Sequence, residues 1–328
     1  MRRTNPILLT TLFGLALAAS PAAAETLRLG HDQPKAHGYQ QVGVYLDEKL
    51  KEATNGEWGV AIFPSAQLGN EMAMLDSVMS GNLDMSVAAS ANASTFIPEL
   101  GLFSVSYIFA DADHFRRVLK DPEFNALVDE VVASHDLGLK RLCTFTAGVR
   151  NVYNNDHPVA SLDDLKGMKM RVMASPVESQ VWNQLGTLPV SIPFGDVYTG
   201  MQTGLVQAAE NAAAVYGSNK HYEVAPYYSL TGHQWLVAFL FTNEEEFANL
   251  PDNVKQTIEE NCEGLTDHVV DYVIESDAQF LKDLQEEYDV QVNEVDTAPF
   301  VEALSETQDA VAKQLGAEGL LERVRALQ

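Results

Sequence analysis

The sequence predicts an α/β protein with two lobes, and three observations lead to this prediction. The chain has 328 residues, which is more than one domain usually holds. Short apolar runs alternate with segments whose apolar residues recur every three or four positions, as strands and amphipathic helices do. A last apolar pattern continues for over 30 residues after Pro251 without another proline. It predicts a long helix that braces both lobes.

The first 24 residues have the features of a secretory signal. A positive start at Arg2 and Arg3 precedes an apolar run over residues 6–19, and three alanines at 22–24 provide a cleavage site. We expect cleavage after Ala24 and a periplasmic protein. No second apolar run of about 20 residues follows, so direct membrane insertion is not expected. No cysteine lies near the cleavage site, which argues against a lipid anchor.

The first lobe begins with alternating strands and helices. Strands are predicted at residues 27–30, 58–63, 83–88 and 139–145. Apolar residues spaced as on one helix face predict helices around Val42, Leu46 and Leu50, around Met72, Leu75 and Met79, and over residues 122–134. This order predicts a mostly parallel sheet with helices on both faces.

A crossing into the second lobe is predicted at residues 146–148. Strands are then expected at residues 151–153, 168–173, 189–192, 208–211, 235–242 and 290–292, with helices at 176–185 and 196–203, the long helix after Pro251, and two terminal helices. The predicted lobe I comprises residues 25–148 and 235–275. The predicted lobe II comprises residues 149–234 and 276–328, and the long helix spans both.

The charge and the cysteine content limit the classes of function that the chain can have. The chain carries 46 acidic and 21 basic residues, and loss of the signal changes its net charge from −25 to −27. Because nucleic-acid binding needs basic patches, no nucleic-acid partner is expected. Because the net negative charge repels anions, any site for an anion must be formed locally by a few arginines and backbone N–H groups. Cys143 and Cys262 form either one disulfide bond or two buried thiols, and neither belongs to a CxxC motif.

Arg171 is the most informative single residue. It lies on the short apolar strand at residues 168–173, and no acidic residue follows it until Glu178. A buried guanidinium needs a counter-anion. That anion is either a carboxylate distant in sequence or the carboxylate or sulfonate of a ligand, held by two hydrogen bonds.

Polar and aromatic side chains at predicted strand ends complete a candidate site, because ligands of open α/β sheets gather at the carboxyl ends of the strands. The candidate ligand-binding residues are Arg171, Arg150, Asn211, His31, Gln33, Asn92, Phe194, His233 and Trp235. For Trp235, a purely structural role at the start of a strand is an equal alternative.

Enzyme motifs are absent from the sequence, including G-x-S-x-G, H-E-x-x-H, G-x-G-x-x-G and the Walker motif. We therefore predict no catalytic residues, no cofactor and no metal site. The one alternative is a metal-dependent periplasmic hydrolase that uses His31, Asp32 and His37. The simpler interpretation is that these side chains cap a helix or line a cleft.

Several segments together resemble the substrate-binding proteins of tripartite ATP-independent periplasmic (TRAP) transporters. These segments are Gln67-Leu68-Gly69, Gly81-Asn82-Leu83-Asp84-Met85, residues 165–172 (LKGMKMRV), residues 194–204 (FGDVYTGMQTG), Glu210-Asn211 and His221-Tyr222-Glu223-Val224. The resemblance extends over nearly the whole mature chain. It departs from the family at Ala208-Ala209, where the family commonly has Asp-Gly.

The resemblance implies a binding protein whose two lobes close on an organic acid and deliver it to a sodium-driven TRAP membrane permease. It also implies that Arg171 clamps the ligand carboxylate, that Asn211 reaches the ligand from the second lobe, and that Arg150 is the second arginine common in members that bind sugar acids. A monomer is expected. A sensory ligand-binding module remains an alternative to transport.

The ligand class stays open within small organic acids. His31, Asp32, Asn92 and His233 suit a hydroxylated acid such as a uronate or an aldonate. A dicarboxylate, a sulfonate or an aromatic acid would fit the same set of residues.

Overall fold

The computed structural model of the protein describes residues 24–328. The predicted signal peptide, apart from Ala24, lies outside the described residues. The described part of the chain contains nine strands: β1 (Glu25–Gly30), β2 (Trp58–Phe63), β3 (Met85–Ala89), β4 (Leu139–Asn154), β5 (Lys169–Val172), β6 (Leu188–Ser191), β7 (Ala208–Asn211), β8 (Tyr227–Asn243) and β9 (Gln291–Glu294).

The strands form one sheet in the order β2-β1-β3-β8-β4-β7-β5-β6, with β9 paired to β8. The outer strands are parallel to their neighbours: β1 to β2 and β3, and β5 to β6 and β7. The centre is antiparallel, because β8 runs against β3 and β4, and β4 runs against β7. The prediction of a mostly parallel sheet is therefore wrong for its centre.

The two central strands explain this difference. β4 has 16 residues and β8 has 17, so each is long enough to run through both halves of the sheet. The predicted crossing at residues 146–148 is an irregularity inside β4, where the pairing with β8 shifts between Thr146 and Val149. Gly148 has a φ of +104°, which a glycine adopts without strain. Residues 146–148 therefore lie within one continuous strand.

Helices cover both faces of the sheet. They are α1 (Gly38–Ala53), α2 (Glu71–Met79), α3 (Ser90–Ala93), α4 (Ala112–Lys120), α5 (Pro122–Ser134), α6 (Pro176–Gln184), α7 (Val197–Gln202), α8 (Ala213–Ser218), α9 (Glu244–Ala248), α10 (Asp252–Glu260), α11 (Cys262–Glu286), α12 (Ala298–Ala303), α13 (Thr307–Leu315) and α14 (Glu318–Ala326). Short 3-10 helices lie at Pro98–Ser104, Leu162–Leu165, Phe194–Asp196 and His221–Glu223.

The predicted long helix is interrupted at Asn261, which separates α10 from α11. The side-chain Nδ2 of Asn261 donates to the carbonyl of Thr257 at 2.8 Å. Asparagine favours helix ends because its side chain competes with the backbone for such hydrogen bonds. The bracing helix is therefore α11 alone, with 25 residues.

Two buried clusters occupy opposite faces of the sheet. Along β8, Val237, Phe239 and Phe241 belong to one cluster, and Leu236, Ala238 and Leu240 to the other, as the two-residue period of a strand requires. The smaller third cluster contains Tyr153, Tyr216 and Tyr228. Apolar side chains are thus buried on both sides of the central strands.

The C-terminal helices return to elements of the predicted lobe I. On α14, Arg323 pairs with Asp121 at 2.6 Å, and the carbonyl of Val324 contacts the Nε2 of His114 at 2.8 Å. Residues of the predicted lobe II therefore brace α4 and α5. The boundaries of the two lobes stay a prediction.

The two cysteines are joined, which decides between the alternatives left by the sequence. Cys143 on β4 and Cys262 at the start of α11 form a disulfide bond that closes a loop with a sequence separation of 119 residues. The bond ties the bracing helix to the central strand. It lies away from the strand ends where the site was predicted.

Removing this bond should destabilise the protein without abolishing ligand binding. A C143A/C262A variant regains the loop entropy of the unfolded chain, so its free energy of unfolding should fall by about 2 to 4 kcal/mol. Urea unfolding of both proteins, with and without a thiol reductant, measures the effect. If the reductant left the urea unfolding of the native protein unchanged, the disulfide pairing would be contradicted.

Candidate functional site

Six of the nine predicted site residues line one cavity at the carboxyl ends of the strands. They are Arg171, Arg150, Asn211, Gln33, Asn92 and Phe194. The space inside this cavity that a water-sized sphere can enter is only about 20 Å³, far below the roughly 300 to 1,000 Å³ of ligand pockets, and a second cavity of about 180 Å³ shares Asp32, Glu71, Asn92, Arg171 and Phe194 with it. Apolar walls come from Met173, Val215 and Leu236. The arrangement suits a small, polar ligand.

Arg171 is buried, with 2% of its surface exposed, and its charge has no direct partner. Its Nε donates to the carbonyl of Ile192 at 3.1 Å, which fixes the guanidinium against β6. Within residues 24–328, no carboxylate forms an ion pair with it. The alternative of a structural ion pair with a distant residue is therefore wrong for the described part of the chain. Both Nη groups remain available to the cavity.

Arg150, in contrast, is held by the neighbouring strand. Its Nη2 donates to the Oε1 of Glu210 at 2.6 Å and to the Glu210 carbonyl at 2.7 Å, and its Nε pairs with the Oε2 of Glu210. Its Nη1 donates to the Oδ1 of Asn211 at 3.0 Å. Four of the five guanidinium N–H donors are thus engaged, and one on Nη1 is left for the cavity.

The pairing with Arg150 keeps Glu210 ionised. Burial alone would raise the pKa of Glu210, but the charge and hydrogen bonds of Arg150, with a further hydrogen bond from His233, lower it to about 2. A buried ion pair with this geometry is neutral as a unit. Arg150 therefore contributes one donor to the cavity and little net charge.

Asn211 has a defined orientation. Its Oδ1 accepts from Arg150 and from the backbone N–H of Ala212, both at 3.0 Å. Because the oxygen is engaged, the Nδ2 group is the end that can donate to a ligand. Asn211 follows Glu210 at the end of β7. One of these neighbours thus forms the ion pair with Arg150, and the other lines the cavity with its amide.

The opposite wall of the cavity is acidic. Buried Glu71, the first residue of α2, accepts from the Ala89 N–H at 2.9 Å and from the Asn92 Nδ2 at 2.7 Å, both through its Oε2. Half-buried Asp32 accepts from the Gln33 Nε2 at 2.9 Å through its Oδ1. Their second oxygens, Glu71 Oε1 and Asp32 Oδ2, form no hydrogen bond within residues 24–328.

Burial shifts the titration of this acidic wall. It raises the pKa of Asp32 to about 6, against the hydrogen bond from Gln33 and the charge of Arg171. Burial and the charge of Asp32 raise the pKa of Glu71 to about 8, against the hydrogen bond from Asn92. Near neutral pH Glu71 is therefore mainly protonated, whereas Asp32 is mainly ionised but keeps its proton to a higher pH than an exposed carboxyl does.

Glu71 was missed by the sequence analysis. As an acidic residue in the first turn of a helix, after the N-cap Asn70, it has an ordinary structural explanation. A signal was present, since Glu71 lies two residues after the Gln67-Leu68-Gly69 segment, which connects β2 to α2. Its contact with Asn92, 21 residues away, could not be read from the sequence.

Asn92 and Gln33 line the cavity, but each uses part of its amide group for hydrogen bonds within the protein. The Oδ1 of Asn92 accepts from the Ala174 N–H at 3.0 Å, so this side chain links the segment after β3 to the segment after β5. Phe194 adds a half-buried aromatic ring. Their predicted contacts with a ligand stay a prediction.

Three predicted residues lie outside this cavity, and we correct their placement. His31 is buried behind the acidic wall, where its Nε2 contacts Gln40 at 3.2 Å and burial lowers its pKa to about 4. His233 contacts the Oε2 of Glu210 at 3.4 Å, so it supports the ion pair from behind. The side chain of Trp235 points to the opposite face of β8. Its ring stacks there on the ring of Phe115, with 5.0 Å between the ring centroids.

The histidines also bear on the metal alternative. His37 does reach the cavity, but its Nδ1 accepts from the N–H of Tyr39 and caps α1. Over residues 24–328, no three His, Cys, Asp or Glu side chains are grouped so that they could hold a metal ion. The proposed cluster of His31, Asp32 and His37 is therefore not assembled.

Comparison with known proteins identifies relatives over nearly the whole chain. The family model of the bacterial extracellular solute-binding proteins, family 7, matches residues 29–314. The 2,3-diketo-L-gulonate-binding periplasmic protein YiaO of Escherichia coli is 29% identical over 302 residues, which cover 92% of this chain and 91% of that protein.

Solved structures agree with this similarity. The sugar acid binding protein DctPAm from Advenella mimigardefordensis, in complex with galactonate, has a TM-score of 0.86 and 25% identity, and the match covers 93% of this chain and 99% of that one. A TRAP periplasmic solute binding protein from Xanthobacter autotrophicus with bound β-D-galacturonate has a TM-score of 0.84 and 26% identity, with coverage of 92% and 100%. The predicted two-lobed α/β fold is confirmed.

Replacing Arg150 should damage the fold far more than replacing Arg171. An R150A variant leaves the Glu210 carboxylate buried without its partner, which should lower the free energy of unfolding by about 3 to 5 kcal/mol. R171A is the matched control, because Arg171 has no ion pair to lose. Urea unfolding at pH 7 separates them, and equal losses in both variants would contradict this division of roles.

The stability of the ligand-free protein should depend on the ionisation of Glu71. Its pKa rises from the ordinary 4.5 to about 8 on folding, so its neutral form favours the folded state, and this benefit is lost as the pH rises through about 8. E71Q, which stays neutral, should match the native protein near pH 4.5 and exceed it by roughly 2 to 4 kcal/mol at pH 9.

Urea unfolding at the two pH values measures this difference. D76N, which changes an exposed carboxylate on the same helix, is the control and should show no such growth with pH. A constant difference between E71Q and the native protein from pH 4.5 to 9 would show that Glu71 is not titrating as described.

Proposed function

This chain belongs to the bacterial extracellular solute-binding proteins of family 7, and we propose that it captures the anion of a sugar acid, a uronate or an aldonate, for a TRAP membrane permease. The resemblance to TRAP substrate-binding proteins is confirmed, so the chain is a TRAP solute-binding protein. The family and its neighbours are transport binding proteins. What remains to be argued is the ligand and the residues that hold it.

The observation that carries the proposal is the buried, unpaired charge of Arg171 inside a closed cavity. A guanidinium out of contact with bulk water is costly unless an anion reaches it. Its two Nη groups form a planar fork that matches the two oxygens of a carboxylate. The remaining donors on Arg150 and Asn211 face the same cavity. A ligand carboxylate therefore completes the site.

Hydroxyl groups explain the rest of the cavity better than a purely apolar ligand would. Asp32 and Glu71 offer oxygens that accept hydrogen bonds, and Asn211 offers an N–H that donates one. An aromatic acid would leave these polar groups without partners, which costs binding free energy. The galactonate and β-D-galacturonate bound by the related structures are hydroxylated acids of this kind, which supports the choice.

The ligand enters by a movement of the lobes. Arg171 and Arg150 are each only 2% exposed, so a sugar acid cannot reach them in the closed arrangement. Opening about the central strands β4 and β8 would expose the cavity. A ligand that contacts both lobes then favours the closed state by its difference in affinity between the two states.

The cellular setting is part of the proposal. We infer a periplasmic protein exported by the N-terminal signal, acting as a monomer that releases its ligand to a sodium-coupled permease and catalyses no reaction. In the described residues, the structure contains no helix with the length and apolarity needed to cross a membrane. The alternative of a sensory module would share the ligand and differ only in the membrane partner.

Replacing Arg171 should abolish most of the affinity for a sugar acid. R171A should weaken binding by about 2 to 5 kcal/mol, the range for truncating one partner of a buried charge pair. Calorimetry with D-galactonate, D-galacturonate and D-glucuronate measures the loss. R171K is the matched control, because it keeps the charge but not the fork, and should retain intermediate affinity. Unchanged affinity in R171A would overturn the assignment.

A further inference from the structure

Ala174, in the turn that follows β5, is held by two side chains from the other predicted lobe. Its N–H donates to the Oδ1 of Asn92 at 3.0 Å, and its carbonyl accepts from the Oγ1 of Thr95 at 2.8 Å. Asn92 and Thr95 belong to the predicted lobe I, whereas Ala174 belongs to the predicted lobe II. The two hydrogen bonds therefore join the predicted lobes through protein groups alone.

The turn that carries Ala174 is built within its own lobe. The N–H of Ser175 donates to the carbonyl of Met173 at 2.8 Å, which makes Ala174 the centre of a three-residue turn. The Oε2 of Glu178 accepts from the N–H of Met173 at 2.8 Å, and the Oγ of Ser175 accepts from the N–H of Glu178 at 3.2 Å. These bonds involve no residue of the predicted lobe I. The turn should therefore keep its shape when the lobes separate.

The side chains that hold the turn are also fixed by their own segment. Asn92 lies on the short helix α3, and Thr95 follows two residues after the end of that helix. The N–H of Thr95 donates to the carbonyl of Asn92 at 3.2 Å, and the N–H of Ser94 donates to the carbonyl of Ser90 at 2.9 Å. Both halves of the contact are thus preorganised, so joining them costs little conformational entropy.

We propose that the hydrogen bond between Thr95 and Ala174 is a latch on the closed state that slows the release of the bound acid. This inference rests on the proposed function, in which the lobes open and close around the ligand. A contact that forms only after closure stabilises the closed state and does not affect the first encounter with the ligand. Its loss should therefore raise the dissociation rate and leave the association rate nearly unchanged.

Thr95 provides a cleaner test of the latch than Asn92 does. Asn92 lines both cavities that contain Arg171, so its replacement would also change the ligand contact predicted for it. Thr95 lies outside the lining of both cavities, so any effect of its hydroxyl on ligand release must act through the protein. Its side chain is exposed, and water therefore competes for the bond. The expected effect is that of one ordinary neutral hydrogen bond.

T95V keeps the volume of the side chain and removes the hydroxyl. Stopped-flow fluorescence with D-galactonate, D-galacturonate and D-glucuronate should show that each bound acid leaves about 2- to 12-fold faster, with association changed by less than about twofold. T95S keeps the hydroxyl and should release the acid at nearly the native rate. T203V is the matched control and should leave both rates unchanged. The Oγ1 of Thr203 donates to the carbonyl of Thr199 at the same 2.8 Å, but within one helix end.

The stability of the ligand-free protein distinguishes a latch from an ordinary structural contact. With the lobes open the bond is not made, so T95V should leave the urea unfolding of the ligand-free protein unchanged. With ligand present, the thermal midpoint of T95V should lie below that of the native protein, because weaker binding adds less stability. Equal losses of stability with and without ligand would show that the bond supports the fold itself, and would overturn the latch.

The kinetic outcomes separate the latch from the proposed function. Unchanged release from T95V, slower association in place of faster release, or release from T95S as fast as from T95V each overturns the latch, while sugar-acid capture stands. If the native protein binds none of the three acids, the proposed function fails, and the latch fails with it.

Discussion

The buried pair between Arg150 and Glu210 is the interaction on which the site depends. It joins β4 to β7, and His233 of β8 supports it from a third strand. A charge buried this deeply stays ionised only because its partner is equally buried and both oxygens of the carboxylate accept hydrogen bonds. The pair also orients Asn211, whose oxygen it engages. The geometry of the ligand-facing amide therefore follows from a structural ion pair.

Arg171 is also a buried charge, but no ion pair within the described residues neutralises it. It lies on β5, which pairs with β7, so the two arginines approach one cavity from neighbouring strands. Its Nε is anchored on a carbonyl, and its charge acts on the carboxyls of Asp32, Glu71 and Glu178, but none of them forms an ion pair with it within the described residues. One arginine is thus engaged by the fold, and the other keeps two Nη groups for the anion that we propose as its partner.

The sequence was sufficient for local structure and for the residues with the strongest chemistry. Strands β2 and β7 and helix α5 begin and end where their apolar patterns and prolines predict. Arg171 was found because a charge in an apolar strand is anomalous. The errors concern long-range structure. Residues 146–148 were predicted to separate two strands, whereas β4 continues through them, and the side chain of Trp235 lies on the other face because a strand alternates its side chains. Glu71 was hidden because an acid at a helix start needs no further explanation.

The net charge of −25 and the capture of an anion are compatible because they act over different distances. Surface charges are screened over about 8 to 10 Å at physiological salt, so they affect mainly the approach of the ligand and hence the association rate. Arg171 and Asn211 are buried, so the contacts proposed for them with a ligand would be little screened. Such contacts would determine how long the ligand stays, and differences in affinity arise mostly from that dissociation rate. An acidic exterior therefore slows the capture of every anion alike. In the proposed function, the choice among anions is left to the few side chains that line the cavity.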